Sequence, residues 1–410
     1  MRVAIVTFGC KLNQYETQLM VEQLKQENIE IVDINDKADF FIINSCAVTS
    51  KASKEARMLA KKLSKIGTVI YTGCDSYLEE NLKGKVILVG NSYKNNIVKV
   101  IEEQFDDYSE ETKYYPLNST IHDFEGRSRA FVKIQEGCNN HCTYCIIPFL
   151  RGRERDKSKK LVLEEIKQLV KMGFKEIVLT GTNIGSYANF KELLKKISRI
   201  GNDFRVRISS IEPMYVDEEL IDIVADLNFA KHLHIPLQSG SDKILKLMGR
   251  DYKKSDFERI VNYCHKKGIF VGTDVIVGFF GEDEGAFKET FEFLKDLPVS
   301  FGHVFSYSKR PFTPASRLKG SLPRGPVVRE RNKILRDLFD KKRKESIKSL
   351  VGKELELIVE TTKVKNERGE FFRALSSEYV KILVKNFKVG LVKCTLKDFD
   401  GMYGYGEWLK

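Results

Sequence analysis

The sequence predicts an α/β protein made of an open α/β sheet, a partial (β/α) barrel and a small all-β barrel, in that order along 410 residues. Three observations carry this expectation. Short β-rich runs alternate with amphipathic helical stretches through most of the chain. The second series of alternations opens on a strand that leads straight into a CxxxCxxC loop, Cys138-Asn139-Asn140-His141-Cys142-Thr143-Tyr144-Cys145. Residues 351–410 contain only short runs with the two-residue period of strands.

In the first block, residues 1–105, strands are expected at Val3 to Phe8, Phe40 to Ile43, Val69 to Tyr71 and Val86 to Leu88, with helices such as Tyr15 to Gln26 and Ser50 to Ser64 between them. Cys10, Cys46 and Cys74 each fall just past the carboxyl end of one of these strands. That edge of an open parallel sheet is where ligands bind, so three cysteines far apart in sequence can meet there as a three-thiolate site. The bland reading, three unrelated cysteines used as core filler, stays open.

Residues 106–126 read as a polar linker with room for one strand. The second block, 127–323, begins with the strand Ala130 to Gln135. Further strands are expected at Glu176 to Thr180, Arg205 to Ser209, His232 to Pro236, Ile269 to Val277 and Ser300 to Phe305, separated by helices from Lys160 to Met172, Phe190 to Ile200, Asp217 to Leu227, Lys254 to Lys267 and Glu284 to Leu294. Functional residues of such a barrel lie at strand carboxyl ends. Found there are the cysteine loop, Gly181-Thr182-Asn183, Ser210 to Glu212, Gln238-Ser239-Gly240 and Gly278. Three thiolates are one fewer than the four that normally hold a [4Fe-4S] cluster, which leaves one iron open for chemistry. A structural zinc site, completed by His141 or a distant cysteine, is the competing assignment.

Residues 324–350 carry ten basic and four acidic residues. As a helix from Arg329 to Ser349 they form a cationic rod suited to a phosphate backbone, or simply a solvated face. Residues 351–410 suggest an oligonucleotide-binding type of barrel, but with eleven basic against nine acidic residues a basic groove requires Phe371, Phe372 and Arg373 to cluster on one face. Cys264 and Cys394 fall within regular runs and read as core. The whole chain carries a net charge of +12. Eight widely spaced cysteines do not form a secreted disulfide framework, no run approaches the ~18 apolar residues of a membrane span, and no signal peptide is evident. A cytoplasmic protein with no membrane partner is expected. The absence of a GxxxxGK loop argues against nucleotide hydrolysis.

Taken together, the CxxxCxxC loop continuing into Ile146-Ile147-Pro148, Arg151-Gly152-Arg153, Ser209-Ser210-Ile211-Glu212-Pro213, His232 to Ser241, the three separated cysteines before them and the terminal barrel resemble the radical S-adenosylmethionine methylthiotransferases, over essentially the whole chain. Thr7-Phe8-Gly9-Cys10-Lys11-Leu12-Asn13-Gln14-Tyr15-Glu16 is most similar to the branch that modifies N6-threonylcarbamoyladenosine at position 37 of tRNA. The resemblance implies two [4Fe-4S] clusters. One, on Cys138, Cys142 and Cys145, would bind S-adenosylmethionine and cleave it to a 5′-deoxyadenosyl radical. The other, on Cys10, Cys46 and Cys74, would hold the sulfur to be inserted at C2 of the adenine, and a second S-adenosylmethionine would supply the methyl group. It further implies that Tyr144 lies against the cofactor's adenine and that Gly181, Thr182, Asn183, Glu212 and Gln238 line its methionine and ribose parts. The terminal barrel resembles the TRAM module, which would grip the anticodon arm. Implied partners are tRNA, an electron donor such as flavodoxin or ferredoxin, and a sulfur donor.

Two positions depart from the family pattern. Phe280 stands where proline is usual and Phe312 where glycine is usual, so a reshaped loop is expected near Phe312. Alternatives that the residues leave open are a methylthiotransferase acting on N6-isopentenyladenosine in tRNA or on a ribosomal protein, another radical enzyme acting on tRNA, and a zinc-containing RNA-binding protein; an electron-transfer protein would need fully ligated clusters, and the only spare cysteines, Cys264 and Cys394, sit in no loop.

Overall fold

The structure, a computed structural model, describes residues 1–78, 82, 86–103, 107–108, 117–124, 128–318 and 322–409. The expected borders at 105–106 and 126–127 lie outside the described residues.

The first block runs β1 (Arg2–Thr7), α1 (Lys11–Gln26), β2 (Glu30–Val32), β3 (Phe40–Ser45), α2 (Ser50–Leu63), β4 (Thr68–Gly73), β5 (Val86–Val89), α3 (Ile97–Glu103) and β6 (Asp107–Tyr108). The six strands form one parallel sheet in the order β2-β1-β3-β4-β5-β6. β3 lies inside it and is buried along its whole length, as expected of a strand covered on both faces. The edge strand β2 is short and partly exposed, which is why its hydrophobic signal was too weak to read from sequence.

The chain continues through β7 (Arg129–Lys133), β8 (Gln135–Glu136), α4 (Ile147–Arg151), β9 (Arg155–Asp156), α5 (Lys159–Lys171), β10 (Glu176–Thr180), α6 (Phe190–Ser198), β11 (Arg205–Ile208) and α7 (Glu218–Asp226). It then runs β12 (His232–His234), α8 (Asp242–Leu247), α9 (Lys254–Lys266), β13 (Phe270–Val277), α10 (Glu284–Asp296), β14 (Phe301–Ser306) and α11 (Gly325–Lys348). The parallel trios β11-β10-β7 and β12-β13-β14 meet at the bridge Val206 to Phe229. Together they form the six-stranded arc of a partial barrel. Helices α5, α7 and α10 begin at Ser158, Asp217 and Asp283, whose side chains accept bonds from first-turn amides. Part of the expected linker is structural: Ile121 and Phe124 are buried in the barrel's core, and β6 extends the first sheet.

The last block is a closed barrel, β15 (Glu354–Asn366), β16 (Gly369–Ser376), β17 (Lys381–Val384), β18 (Leu391–Phe399) and β19 (Gly404–Trp408), in the order β15-β16-β17-β19-β18. Cys394 is buried in its core and Cys264 in that of the larger barrel. The clustering that a basic groove requires does not form, because neighbours along a strand point to opposite faces. Phe371 packs with Leu383 and Tyr405, Phe372 lies 5.4 Å from Phe387, and Arg373 is paired with Glu360. The cationic rod is partly paired within the fold. Arg331 pairs with Glu282 and Glu284, Arg343 and Lys344 with Asp340, and Lys342 donates to the carbonyls of Lys295 and Leu297.

A buried carboxylate docks the small barrel. Glu176 Oε2 accepts from Arg205 Nε at 2.5 Å and Glu176 Oε1 from Arg207 Nε at 3.0 Å. The two guanidinium groups also donate to the carbonyls of Glu356, Leu375, Ser376 and Ser377. Burial raises the pKa of Glu176, but Arg207 and Arg205 outweigh it and hold the carboxyl well below the usual range. Glu176→Ala removes the carboxylate that the two buried guanidinium groups share and is expected to cost about 3–5 kcal/mol, read as a lower urea midpoint. The folded-state pKa of Glu176 is depressed below the unfolded value of about 4.3. Its contribution is therefore complete above that pH and lost as pH falls below it. In a pH series of urea midpoints, the gap between parent and Glu176→Ala should narrow on acidification; a constant gap would refute the assignment.

Candidate active site

β1, β3 and β4 are neighbours in the first sheet, with Thr7 opposite Asn44 and Ser45 opposite Gly73. Cys46 and Cys74 are the residues immediately after that last pair, so register alone sets them side by side, and Cys10 caps α1 beside them. Gly9 lies so close that a Cβ there would fall 2.7 Å from Cys46 Cβ. Gly73 has φ +99°, and a Cβ would fall 2.3 Å from the Ser45 carbonyl oxygen. Cys46 and Cys74 are buried and Cys10 is exposed. Burial, then the neighbouring thiol of Cys74, pushes Cys46 up to about 12.

The second trio lies on the loop between β8 and α4. Gly137, at φ +78°, lets the chain pass against Arg153, where a Cβ would fall 2.0 Å from the carbonyl oxygen. The Cys138 amide donates to the Gly152 carbonyl at 3.1 Å and the Cys145 amide to that of Cys142 at 3.1 Å. Burial, then backbone bonding and the neighbouring thiols, leaves Cys138 at about 11 and Cys145 at about 12. Arg250 Nη1 donates to Cys142 Sγ at 3.0 Å.

Of the five strand-end residues, the structure ties four to this loop. Gly181 packs against the residue that opens the loop, where a Cβ would fall 3.0 Å from the Gln135 carbonyl oxygen. Thr182 Oγ1 accepts from the Gly137 amide at 3.2 Å. The Asn183 amide donates to Gln135 Oε1 at 2.8 Å, while its side-chain Oδ1 is buried without a partner among the described residues. Glu212 accepts from the same Arg250 that holds Cys142. Gln238, at φ +66°, is placed by its backbone, which pairs with β13, and reaches the loop only indirectly, through Leu237, Tyr252 and Arg250. Tyr144 packs edge-on against Phe279 at 6.3 Å, in an apolar cluster with Ile244, Met248 and Phe280.

Two connections join the trios. Arg151, at the end of α4, donates through Nε to Cys74 Sγ at 3.2 Å and through its terminal nitrogens to Glu16, Glu136 and Asn13. The segment Ser308 to Ala315 crosses from one site to the other. Ser308 bonds Ser50 at 2.9 Å, Arg310 donates to Ser50 and Ser53, and the Ala315 amide donates to the Thr143 carbonyl at 2.8 Å. Phe280 fills the apolar cluster. Phe312 adopts a left-handed angle at φ +65°, which costs a non-glycine residue roughly 1–2 kcal/mol. Arg250, Tyr252, Glu136, Lys94 and Lys133 were missed from sequence, because lone charged residues in helices, strands and turns carry no spacing signal.

Each trio is a sulfur-only donor set, one on adjacent strand ends and one on a tight loop, and each has a guanidinium on a sulfur. Hydrogen bonds to sulfur are a means by which a protein tunes an iron–sulfur cluster. No three His, Cys, Asp or Glu among the described residues already stand at coordinating geometry; the fit is one of donor chemistry and charge. Cys264 and Cys394 are buried in separate cores and cannot complete either trio, and His141 is exposed.

Residues 132–294 match the family described as the radical SAM superfamily, and residues 2–87 match Uncharacterized protein family UPF0004. The chain is 38% identical to the threonylcarbamoyladenosine tRNA methylthiotransferase MtaB of Aquifex aeolicus, across 95% of this chain and 98% of that protein. It is 36% identical to the MtaB of Bacillus subtilis, across 99% and 95%. Among solved structures, the radical S-adenosylmethionine methyltransferase TsrM from Kitasatospora setae, with cobalamin and [4Fe-4S] cluster bound, shares the fold at a TM-score of 0.59 and 15% identity, across 77% of this chain and 73% of that one. Near-full-length identity of this order is decisive: the chain belongs to the radical S-adenosylmethionine methylthiotransferase family, in the branch of the threonylcarbamoyladenosine tRNA methylthiotransferases.

Proposed function

We propose that the protein converts N6-threonylcarbamoyladenosine at position 37 of tRNA to its 2-methylthio derivative. The observation that carries the reading is the joining of two three-cysteine sites on one face by Arg151 and the 308–315 segment. Membership in the family implies S-adenosylmethionine and a [4Fe-4S] cluster, and we assign that cluster to Cys138, Cys142 and Cys145. Bound there, the pair supplies the one-electron chemistry needed to break an unactivated aromatic C–H bond. The Cys10, Cys46 and Cys74 site we assign to a second [4Fe-4S] cluster that presents the sulfur.

The chain's own contribution is placement. Arg250 fixes Cys142 and Glu212 together. Thr182 pins the loop at Gly137, and the unpartnered Asn183 oxygen is free to accept from a cofactor's ammonium or hydroxyl groups. The apolar cluster around Tyr144 keeps water from the reacting centre. Stoichiometry requires a one-electron donor such as flavodoxin or ferredoxin and a sulfur donor. We place the enzyme in the cytoplasm with its tRNA; no helix among the described residues is long and apolar enough to cross a membrane.

Mass spectrometry of nucleosides from tRNA of cells with and without the gene tests the activity. Loss of 2-methylthio-N6-threonylcarbamoyladenosine with accumulation of its precursor is expected, and an unchanged nucleoside profile would overturn the reading. In the purified enzyme, Cys142→Ala should abolish reductive cleavage of S-adenosylmethionine. Cys46→Ala should retain cleavage while losing the methylthio product; loss of cleavage in both would count against two separate roles. Gly137→Ala, which forces a Cβ onto the Arg153 carbonyl, should lower iron and acid-labile sulfide per chain by about half, as expected if one of two [4Fe-4S] sites is lost.

A further inference from the structure

Two aromatic residues beside the thiol sites stand outside the buried cores. Phe149, in α4, is 40% exposed and Phe312 is 55% exposed. Their rings are stacked, with centroids 4.4 Å apart and planes 15° from parallel. Phe149 also lines a surface cleft with Cys138, Asn140, His141 and Arg153. The other ring is held from both sides. Arg310 is anchored on Ser50 and Ser53 near Cys46, Thr313 Oγ1 donates to the Arg310 carbonyl at 2.8 Å, and Ala315 is anchored on the Cys138–Cys145 loop. Phe312 therefore stands where the segment passes between the trios, in a left-handed conformation that phenylalanine rarely adopts. A strained backbone that displays an aromatic ring to solvent is explained by something the ring binds.

Unpaired bases are recognised by stacking on aromatic side chains supported by nearby cations. Two parallel exposed rings, a cleft carrying Arg153 and a chain of net charge +12 match a polyanion with unstacked bases better than an apolar peptide. We infer that Phe149 and Phe312 form a stacking platform for a base flanking the modified adenosine in the anticodon loop, holding that loop open over the two thiol sites. The inference rests on the tRNA reading above and assigns one contact within it.

The test uses the full, anaerobically purified protein and an anticodon stem–loop RNA carrying 2-aminopurine at each position flanking the target adenosine in turn. Binding to the parent should quench the fluorescence at one position. Phe312→Gly, which suits the observed backbone angle, and Phe149→Leu should each abolish that quench and weaken binding by anisotropy roughly 5- to 150-fold, while Phe312→Tyr keeps both. If the parent binds the stem–loop but shows no quench at any flanking position, or if Phe312→Gly retains quench and affinity, the platform is wrong and the tRNA reading stands. Failure of the parent to bind the stem–loop at all overturns both.

Discussion

A group of charges closed off from water fixes the first sheet to the barrel, and the geometry of both thiol sites depends on it. The Glu16 carboxylate accepts from Lys94 at 2.5 Å, from Arg151 at 2.8 Å and from Lys133 at 3.2 Å, all with side chains almost completely buried. Burial by itself raises the pKa of Glu16, yet Arg151, Lys94 and Lys133 hold the carboxyl well below its usual range. Glu136 shares Lys133 and Arg151. Each ion in such a group is worth keeping only while all its partners are present, because an uncompensated buried charge is far more costly than an apolar replacement of the whole set. The group therefore specifies one docking pose. Arg151 is its pivot, since the guanidinium bonded to Glu16 is the one bonded to Cys74.

The same economy appears around the second trio. Arg250 holds Cys142, Tyr252 and Glu212 with one guanidinium, so a loop of three cysteines inherits the rigidity of the barrel strands. Where the first site relies on parallel register, the second relies on a glycine turn and an arginine. Bonds from Ser308, Arg310 and Ala315 then tie α2, next to Cys46, to the Cys142–Cys145 turn. Under the proposed reading, two centres acting on one atom of substrate need this kind of fixed separation, because misplacement of reacting groups by an ångström costs orders of magnitude in rate.

Charge excess at the carboxyl end is used differently from what a simple count suggests. In the basic run of α11, Arg331 and Lys342 are held by carboxylates and carbonyls of the larger barrel, and Arg205 and Arg207 serve as docking pins for the small barrel. Cations over aromatic rings remain on that barrel, with Lys363 over Phe372 at 5.6 Å and Lys388 over Trp408 at 4.8 Å. Pairs of this type combine charge with a stacking face.

The sequence by itself determined the alternation of strands and helices, the closed β barrel at the end, and the positions of the six cysteines just past strand or loop ends. These follow from local periodicity. Even the convergence of Cys10, Cys46 and Cys74 was legible, because parallel strands put their carboxyl ends on one edge. Tertiary structure decided what no spacing records: that Arg151 and Arg250 reach across the chain to a sulfur, that Arg331 and Lys342 of the basic helix are bound to the barrel, that Phe371 and Phe372 face apart, and that Phe312 takes a left-handed angle and stacks on Phe149. Partners of a buried charge and the surroundings of an exposed ring are chosen by packing between distant segments, and that choice exists only once the chain has folded.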